Sequence, residues 1–337
     1  MDNYSYSAED QSFLSPVLYK FFVDPLVKIL PYRLPANFIT LASFIFIIIA
    51  FGIAVHGYYV HRYDFWGAIP LLTLMYLISD YADGQQARKT GTGSPLGEYL
   101  DHFLDSFVTG FLMGILMISF KVTKPALITI GFFNLYFGQV GSFWERYKRR
   151  AMYFGKLGSS EGVLAIGFTS WLISIPPIHT AADTVLICNI TCGESLIIAI
   201  MTGAAVSAIR SIIRAGAISF RIIAHLILSF AVTYTVACSC GNTNMVYVTL
   251  LLTFYNVSFL TPLLAATNLE KREGFPDIIV PLSFIPVFLM PQYAPIIKYL
   301  QLAYLALRIA IGFSNFLKLN RRYWYWINPL PSDRSTM

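Results

Sequence analysis

The chain has 337 residues, 56% hydrophobic, 16% aromatic and only 12% charged, against about 25% charged in an average soluble domain. That composition excludes a water-soluble globular protein, because so much apolar surface has to face lipid. The 24 basic and 18 acidic residues leave a net charge of +6, so the basic residues are read as topology signals and no nucleic-acid partner is expected.

The opening MDNYSYSAEDQ is polar and acidic, unlike the basic and then apolar start of a cleaved signal peptide. Residues 12–33 alternate apolar clusters with Lys20, Asp24, Lys28 and Arg33, which predicts an interfacial amphipathic helix and not a span. Ten apolar runs of about bilayer-crossing length follow, near 36–57, 65–87, 97–119, 125–145, 161–177, 193–213, 216–238, 244–267, 276–290 and 296–318. The expected fold is therefore all-α: a polytopic integral membrane protein of about ten transmembrane helices behind an N-terminal interfacial helix. Its expected parts are a cytosolic tail and interfacial helix over 1–35, one membrane domain over 36–320 and a second cytosolic tail over 321–337.

An even number of spans puts both termini on one side. The connections after the second, fourth, sixth and eighth runs and the two termini together hold eighteen basic residues, and the opposite side holds three, Arg62, Lys121 and Lys124. The positive-inside rule then makes the first side cytosolic. Cys188, Cys192, Cys238 and Cys240 all fall on the other side, which points to an oxidising compartment such as the endoplasmic reticulum lumen. The sequon Asn189-Ile-Thr191 lies in the same luminal loop, whereas Asn256-Val-Ser258 lies inside a span and is expected to be inaccessible.

The second run does not end in apolar residues but passes into Asp80, Asp83, Gly84, Ala87 and Arg88, and the third opens with Gly97, Asp101, His102 and Asp105. Ionised carboxylates at membrane depth are costly unless paired, hydrated or bound to metal, so an acidic cluster at two span ends marks a functional site. Positions 80, 83, 84, 87 and 88 form one stripe of a helix, and 97, 101 and 105 another. Two facing helices would bring four carboxylates to one point, with Gly84, Ala87 and Gly97 leaving room for close approach. An all-oxygen set suits Mg²⁺, Mn²⁺ or Ca²⁺ and not zinc. A metal held this way keeps open positions for a pyrophosphate, with Arg88 a turn further on as a second clamp. A structural ion-pair cluster or a cation-conducting site fits the same stripes.

Written out, Asp80 to Asp105 reads D-x2-D-G-x2-A-R-x8-G-x3-D-x3-D, eight specified residues over 26 positions. The pattern resembles the signature of the CDP-alcohol phosphotransferases, and Ser94-Pro-Leu-Gly-Glu98 with Asp101-His102 resembles the choline/ethanolamine phosphotransferase branch. Pro35-Ala-Asn37-Phe-Ile-Thr40 is similar to the family's P-N-x-I-T element, with an inserted Ala. Trp144-x2-Tyr147-x6-Phe154-Gly155-x5-Glu161-Gly162 keeps the family spacing downstream.

The resemblance implies transfer of phosphocholine or phosphoethanolamine from CDP-choline or CDP-ethanolamine to the hydroxyl of diacylglycerol, giving phospholipid and CMP. It further implies an endoplasmic reticulum or Golgi membrane, a cytosol-facing site and a homodimer. On this likeness Asp80, Asp83, Asp101 and Asp105 hold two Mg²⁺ or Mn²⁺ ions, while Asn37, Gly84, Ala87, Arg88 and Gly97 receive the nucleotide. Trp144 and Tyr147, with Glu145 between them, are candidates for the alcohol's ammonium group. His102, three residues from Asp105, is the candidate base for the acceptor hydroxyl, oriented by Glu161; Asp105 is the alternative base. A phosphatidylinositol-type synthase of the same family and a metal-dependent transporter are the competing readings.

Overall fold

A computed structural model describes residues 8–155, 158–187, 189–240, 244–269 and 273–319. The expected C-terminal tail and Cys188 lie outside them. A short strand, β1 (Ala8–Asp10), leads into a helical stretch made of α1 (Ser15–Leu18), a π-turn over Tyr19–Val23 and α2 (Asp24–Ile29). Phe13, Phe21, Ile29 and Tyr32 are exposed along it, next to Lys20 and Lys28, as an interfacial helix requires.

The long helices follow: α3 (Ala36–Val60), α4 (Ala68–Thr90), α5 (Pro95–Ser119) and α6 (Pro125–Arg149). Strand β2 (Met152–Phe154) then pairs in parallel with β1, bringing Ala8 opposite Met152 and Asp10 opposite Phe154. Next come α7 (Ser159–Leu172), α8 (Pro176–Ala182), a small antiparallel pair β3 (Val185–Ile187) and β4 (Ile190–Thr191), and α9 (Cys192–Ala215). The chain closes with α10 (Phe220–Cys240), α11 (Met245–Leu269), α12 (Ile279–Leu289) and α13 (Ala294–Leu319). It is an all-α polytopic membrane fold.

Every predicted run is helical. Among the described residues seven helices are long and apolar enough to cross a bilayer, and an eighth span arises if α7 and α8 are counted together. Those two meet at a bend of 110°, where the sequence suggested one straight run over 161–177. The cause is Pro176-Pro177, since a proline pushes the residue before it out of the helical region and cannot donate back to the preceding turn. The run at 276–290 yields only the 11 residues of α12, about 16 Å of helix against about 30 Å of hydrocarbon. Helix α4 is not among the seven, since its last turns carry Asp80, Asp83, Arg88 and Lys89.

Helices α5 and α11 are the most enclosed, with 78% of each apolar window buried, against 17% for α13. They approach closely through small residues. A methyl group on Gly110 would collide with Thr253 and Tyr136, and one on Gly114 with Thr249 and Phe51. Gly110→Ala should therefore cost about 1–3 kcal/mol of stability, read as a lower thermal unfolding midpoint in detergent. Aromatic stacking fills the space between α3 and α5, with Phe51 and Phe111 at 5.0 Å. At the opposite end Asn189 is exposed in the β3–β4 turn at φ 60°, a left-handed conformation that asparagine tolerates well. Asn256 is buried, as its position inside a span predicts.

Candidate active site

Helix α4 ends on Gly91 at φ 67°, a left-handed cap, and α5 begins at Ser94, whose hydroxyl accepts from the Gly97 amide at 3.1 Å, with Pro95 in the first turn. Both helices pack on α3 and on α7, and the short connection between them lets their acidic faces converge. As a result, carboxylate oxygens of Asp80, Asp101 and Asp105 all lie within 4.8 Å of one another. Three ionised carboxylates at that spacing repel strongly, and an all-oxygen set of hard donors is what a divalent cation of the Mg²⁺ class accepts. The residues present thus fit a metal.

Further hydroxyls orient the acids. Tyr76 donates to Asp105 Oδ1 at 2.7 Å, and Thr40 donates to Asp83 Oδ2 at 2.6 Å. Asp83 stands outside the triad of close oxygens. It faces instead a cavity of about 430 Å³, whose wall also includes Asn37, Thr40, Gly84, Ala87, Arg88, Gly97, Glu98 and Asp101. All five residues expected to receive a nucleotide therefore line this one cavity, and Asp101 links it to the triad. Gly97 keeps the approach to Asn37 close, since a Cβ there would stand 3.3 Å from Asn37 Oδ1. The Arg88 guanidinium lies over Gly84, 3.7 Å from where a Cβ would be, and is engaged by the Tyr19 hydroxyl. Burial holds the Tyr19 phenol above its ordinary range, against the opposing pull of Arg88.

Other expected residues stand apart from the cavity. Trp144 is buried, donates its indole N–H to the Ala217 carbonyl at 3.2 Å and stacks on Tyr147 at 5.2 Å. Lys148 lies over both rings, so the aromatic pair already holds a cation from its own helix. Glu145 is bound by Arg214 at 2.6 and 2.8 Å and by Arg149 at 3.1 Å, which commits its charge elsewhere.

His102 is buried with its ring 5.4 Å from Phe143, beside Glu98 and Arg146. Glu161, in the first turn of α7, accepts from Ser12 Oγ at 2.6 Å, the Leu14 amide at 3.1 Å and the Gly158 amide at 2.8 Å. Helix α7, which carries Glu161, packs on α5, which carries His102, and the hydrogen bonds of Glu161 go to Ser12, Leu14 and Gly158.

Sequence reasoning missed the buried pair in which Arg146 Nε and Nη2 reach the two Glu98 oxygens at 2.9 and 3.1 Å. Glu98 lies three positions before Asp101 on the same stripe, the one signal that could have marked it. It also missed Tyr81, whose hydroxyl lies 2.8 Å from Ser15 Oγ and 2.6 Å from Ser160 Oγ, tying α4 to the N-terminal segment and to α7.

Membrane helices, a half-buried acidic triad where the ends of two helices converge, and an adjoining cavity lined by Gly84 and Arg88 define an integral membrane protein with a metal-compatible acidic site. The family model for CDP-alcohol phosphatidyltransferase matches residues 33–209, more than half the chain, including the acidic triad and every residue that lines the cavity except Tyr32. The chain belongs to this family. It is 37% identical over 108 residues to choline/ethanolaminephosphotransferase 2 of Arabidopsis thaliana, covering 30% of this chain and 27% of that one. Cholinephosphotransferase 1 of Saccharomyces cerevisiae is 32% identical over 172 residues, 48% of this chain and 43% of the yeast protein. Ethanolaminephosphotransferase 1 of Homo sapiens is 32% identical over 110 residues, 30% of this chain and 28% of the human one. The matched part spans less than half the length of each of these relatives.

Proposed function

We propose that the protein transfers phosphocholine and/or phosphoethanolamine from a CDP-alcohol to the hydroxyl of diacylglycerol, giving phosphatidylcholine or phosphatidylethanolamine and CMP. The observation that carries this reading is the continuity of the cavity with the carboxylates: Asp101 belongs to both, and Gly84 and Arg88 stand in the cavity wall. The relatives named for choline and ethanolamine transfer support that choice of alcohols within the family.

Asp80, Asp83, Asp101 and Asp105 would hold two Mg²⁺ or Mn²⁺ ions. When bound, such ions neutralise the pyrophosphate and make CMP a better leaving group. Arg88 contributes a fixed cation to the phosphates, and Gly84 and Gly97 let the nucleotide approach the backbone. The diacylglycerol oxygen attacks the phosphorus that carries the alcohol, the bond to the CMP oxygen breaks, and the hydroxyl proton leaves to a base. His102 is assigned that proton, because the nearby carboxylates are committed as ligands, and Glu161 is assigned to the imidazolium that results. A carboxylate with three donors still has a lone pair for that purpose.

The surrounding assignment follows: residues 36–320 form the membrane domain, residues 1–35 and 321–337 lie on the cytosolic side with the site, the membrane is that of the endoplasmic reticulum or Golgi, and the protein is a homodimer. Purified full-length protein given diacylglycerol, Mg²⁺ and CDP-choline or CDP-ethanolamine in competition should release CMP and form the matching phospholipid, read by product mass. Absence of CMP with every CDP-alcohol would overturn the reading. Incorporation of inositol from CDP-diacylglycerol would replace it with a phosphatidylinositol-type synthase, and metal-dependent cation flux in liposomes without CMP would replace it with a transporter.

A further inference from the structure

The cavity has a wall that the signature does not specify. Residues 32–37 line it together with Gly84 and Arg88, and this stretch is the end of the turn that joins α2 to α3 with the first two residues of α3. The turn closes on itself with the Leu34 amide donating to the Pro31 carbonyl at 3.0 Å. What fixes it against the acidic helix is Gln86, wholly buried on α4, whose carboxamide nitrogen donates to the Pro31 carbonyl at 2.9 Å and the Leu34 carbonyl at 3.0 Å. A turn further along, Lys89 Nζ donates to the carbonyls of Val27 at 2.7 Å and Leu30 at 2.9 Å, where the last turn of α2 leaves them without helical partners. Asp24 accepts from Gln85 at 2.9 Å, and Tyr32 donates to the Thr90 carbonyl at 3.3 Å.

We infer that Gln86, assisted by Lys89, is a positioning residue for the nucleotide-binding cavity: it registers the 31–37 wall against the helix that carries Asp80, Asp83, Gly84 and Arg88. The chemistry supports the choice of residue. Only a primary amide at this buried position offers two N–H donors without a charge, and both are spent on the two ends of one turn. Four carbonyls of the N-terminal segment are thereby satisfied by two side chains of α4, so the cavity's two sides move as one body. Asn37 and Thr40, which reach Gly97 and Asp83, follow directly from this wall in the chain and inherit its position. The partners held in this way run from Asp24 to Leu34, and most of them lie before the family-matched region of 33–209.

The inference rests on reading the cavity as the CDP-alcohol site. It is tested with the full-length protein by titrating CMP in Mg²⁺ and by measuring KM for the CDP-alcohol, KM for diacylglycerol and kcat. Gln86→Met keeps the length and removes both donors. It should raise KM for the CDP-alcohol and weaken CMP binding by roughly 10- to 100-fold, the scale of a misplaced contact, while KM for diacylglycerol stays within about twofold. Lys89→Met, at an exposed position that tolerates the change in folding, should shift the same two quantities in the same direction, and Lys89→Arg should restore them. Faster hydrogen–deuterium exchange confined to residues 30–37 should accompany the loss. Equal CMP affinity in wild type, Gln86→Met and Lys89→Met would overturn the inference while leaving the reading of the cavity intact, as would a uniform fall in kcat with both KM values unchanged. A wild-type protein that binds no CMP would overturn the reading of the cavity, and this role for Gln86 with it.

Discussion

Asn in place of Asp80, Asp83, Asp101 or Asp105 is expected to abolish CMP release and to remove the divalent-ion dependence of CMP binding. Each change deletes one negative oxygen donor while keeping the size of the side chain. Loss of an outer partner of a metal site already costs about 10–100-fold in affinity or activity, so loss of a direct ligand should exceed that range. Stability should move the other way. In metal-free buffer the triad of Asp80, Asp101 and Asp105 is a source of repulsion within 4.8 Å, and neutralising one member relieves it. The Asn variants should therefore unfold at or above the wild-type midpoint without metal, yet lose the rise that Mg²⁺ gives the wild type by binding only the folded state. Asp83 sharpens the test, because its Oδ2 already accepts from Thr40 and an Asn oxygen could keep that bond. If Asp83→Asn retains metal-dependent CMP binding while the other three lose it, the ion set is the triad alone. If all four variants turn over normally, the acidic cluster is not the site.

The parts of this site that were legible in the sequence are those set by helical periodicity. The stripe from Asp80 to Arg88 and the stripe of Gly97, Asp101 and Asp105 need only 3.6 residues per turn and a short connection to face each other, and a left-handed glycine with a serine cap supplies that connection. Helix positions were legible for the same reason, since lipid demands long apolar runs. The bend between α7 and α8 was written in Pro176-Pro177 and was passed over because the apolar run continues through it. Contacts distant in sequence carried no such signal. Nothing local tells that Ser12 reaches Glu161 across 149 positions, or that Gln86 holds the turn of residues 31–34. The aromatic pair of Trp144 and Tyr147 illustrates the converse. Its residue types suit an ammonium group, and Lys148, one to four positions away on the same helix, lies over both rings.

The assignment of the base separates two variants by what each should leave intact. His102→Ala should lower kcat by roughly 10²–10⁴, the usual worth of a positioned general base, with CMP binding changed by no more than a few-fold. The imidazole is not among the ligand oxygens and does not line the cavity, so its removal spares the nucleotide. Asp105→Asn should lose both turnover and metal-dependent CMP binding, because Asp105 belongs to the triad and is oriented there by Tyr76. Glu161→Gln should resemble His102→Ala with an equal or smaller loss, and the double variant should fall no further than the worse single, since a base and its orienting acid act as one unit. The hydrogen bonds of Glu161 add a control. Ser12→Ala removes one donor from that carboxylate without touching the triad, so a loss in Glu161→Gln that Ser12→Ala does not share comes from the carboxylate itself and not from the seating of residues 12–14. Near-normal kcat in His102→Ala, together with an Asp105→Asn variant that binds CMP and metal normally yet is inactive, would move the proton to Asp105 and leave His102 as a packing residue against Phe143.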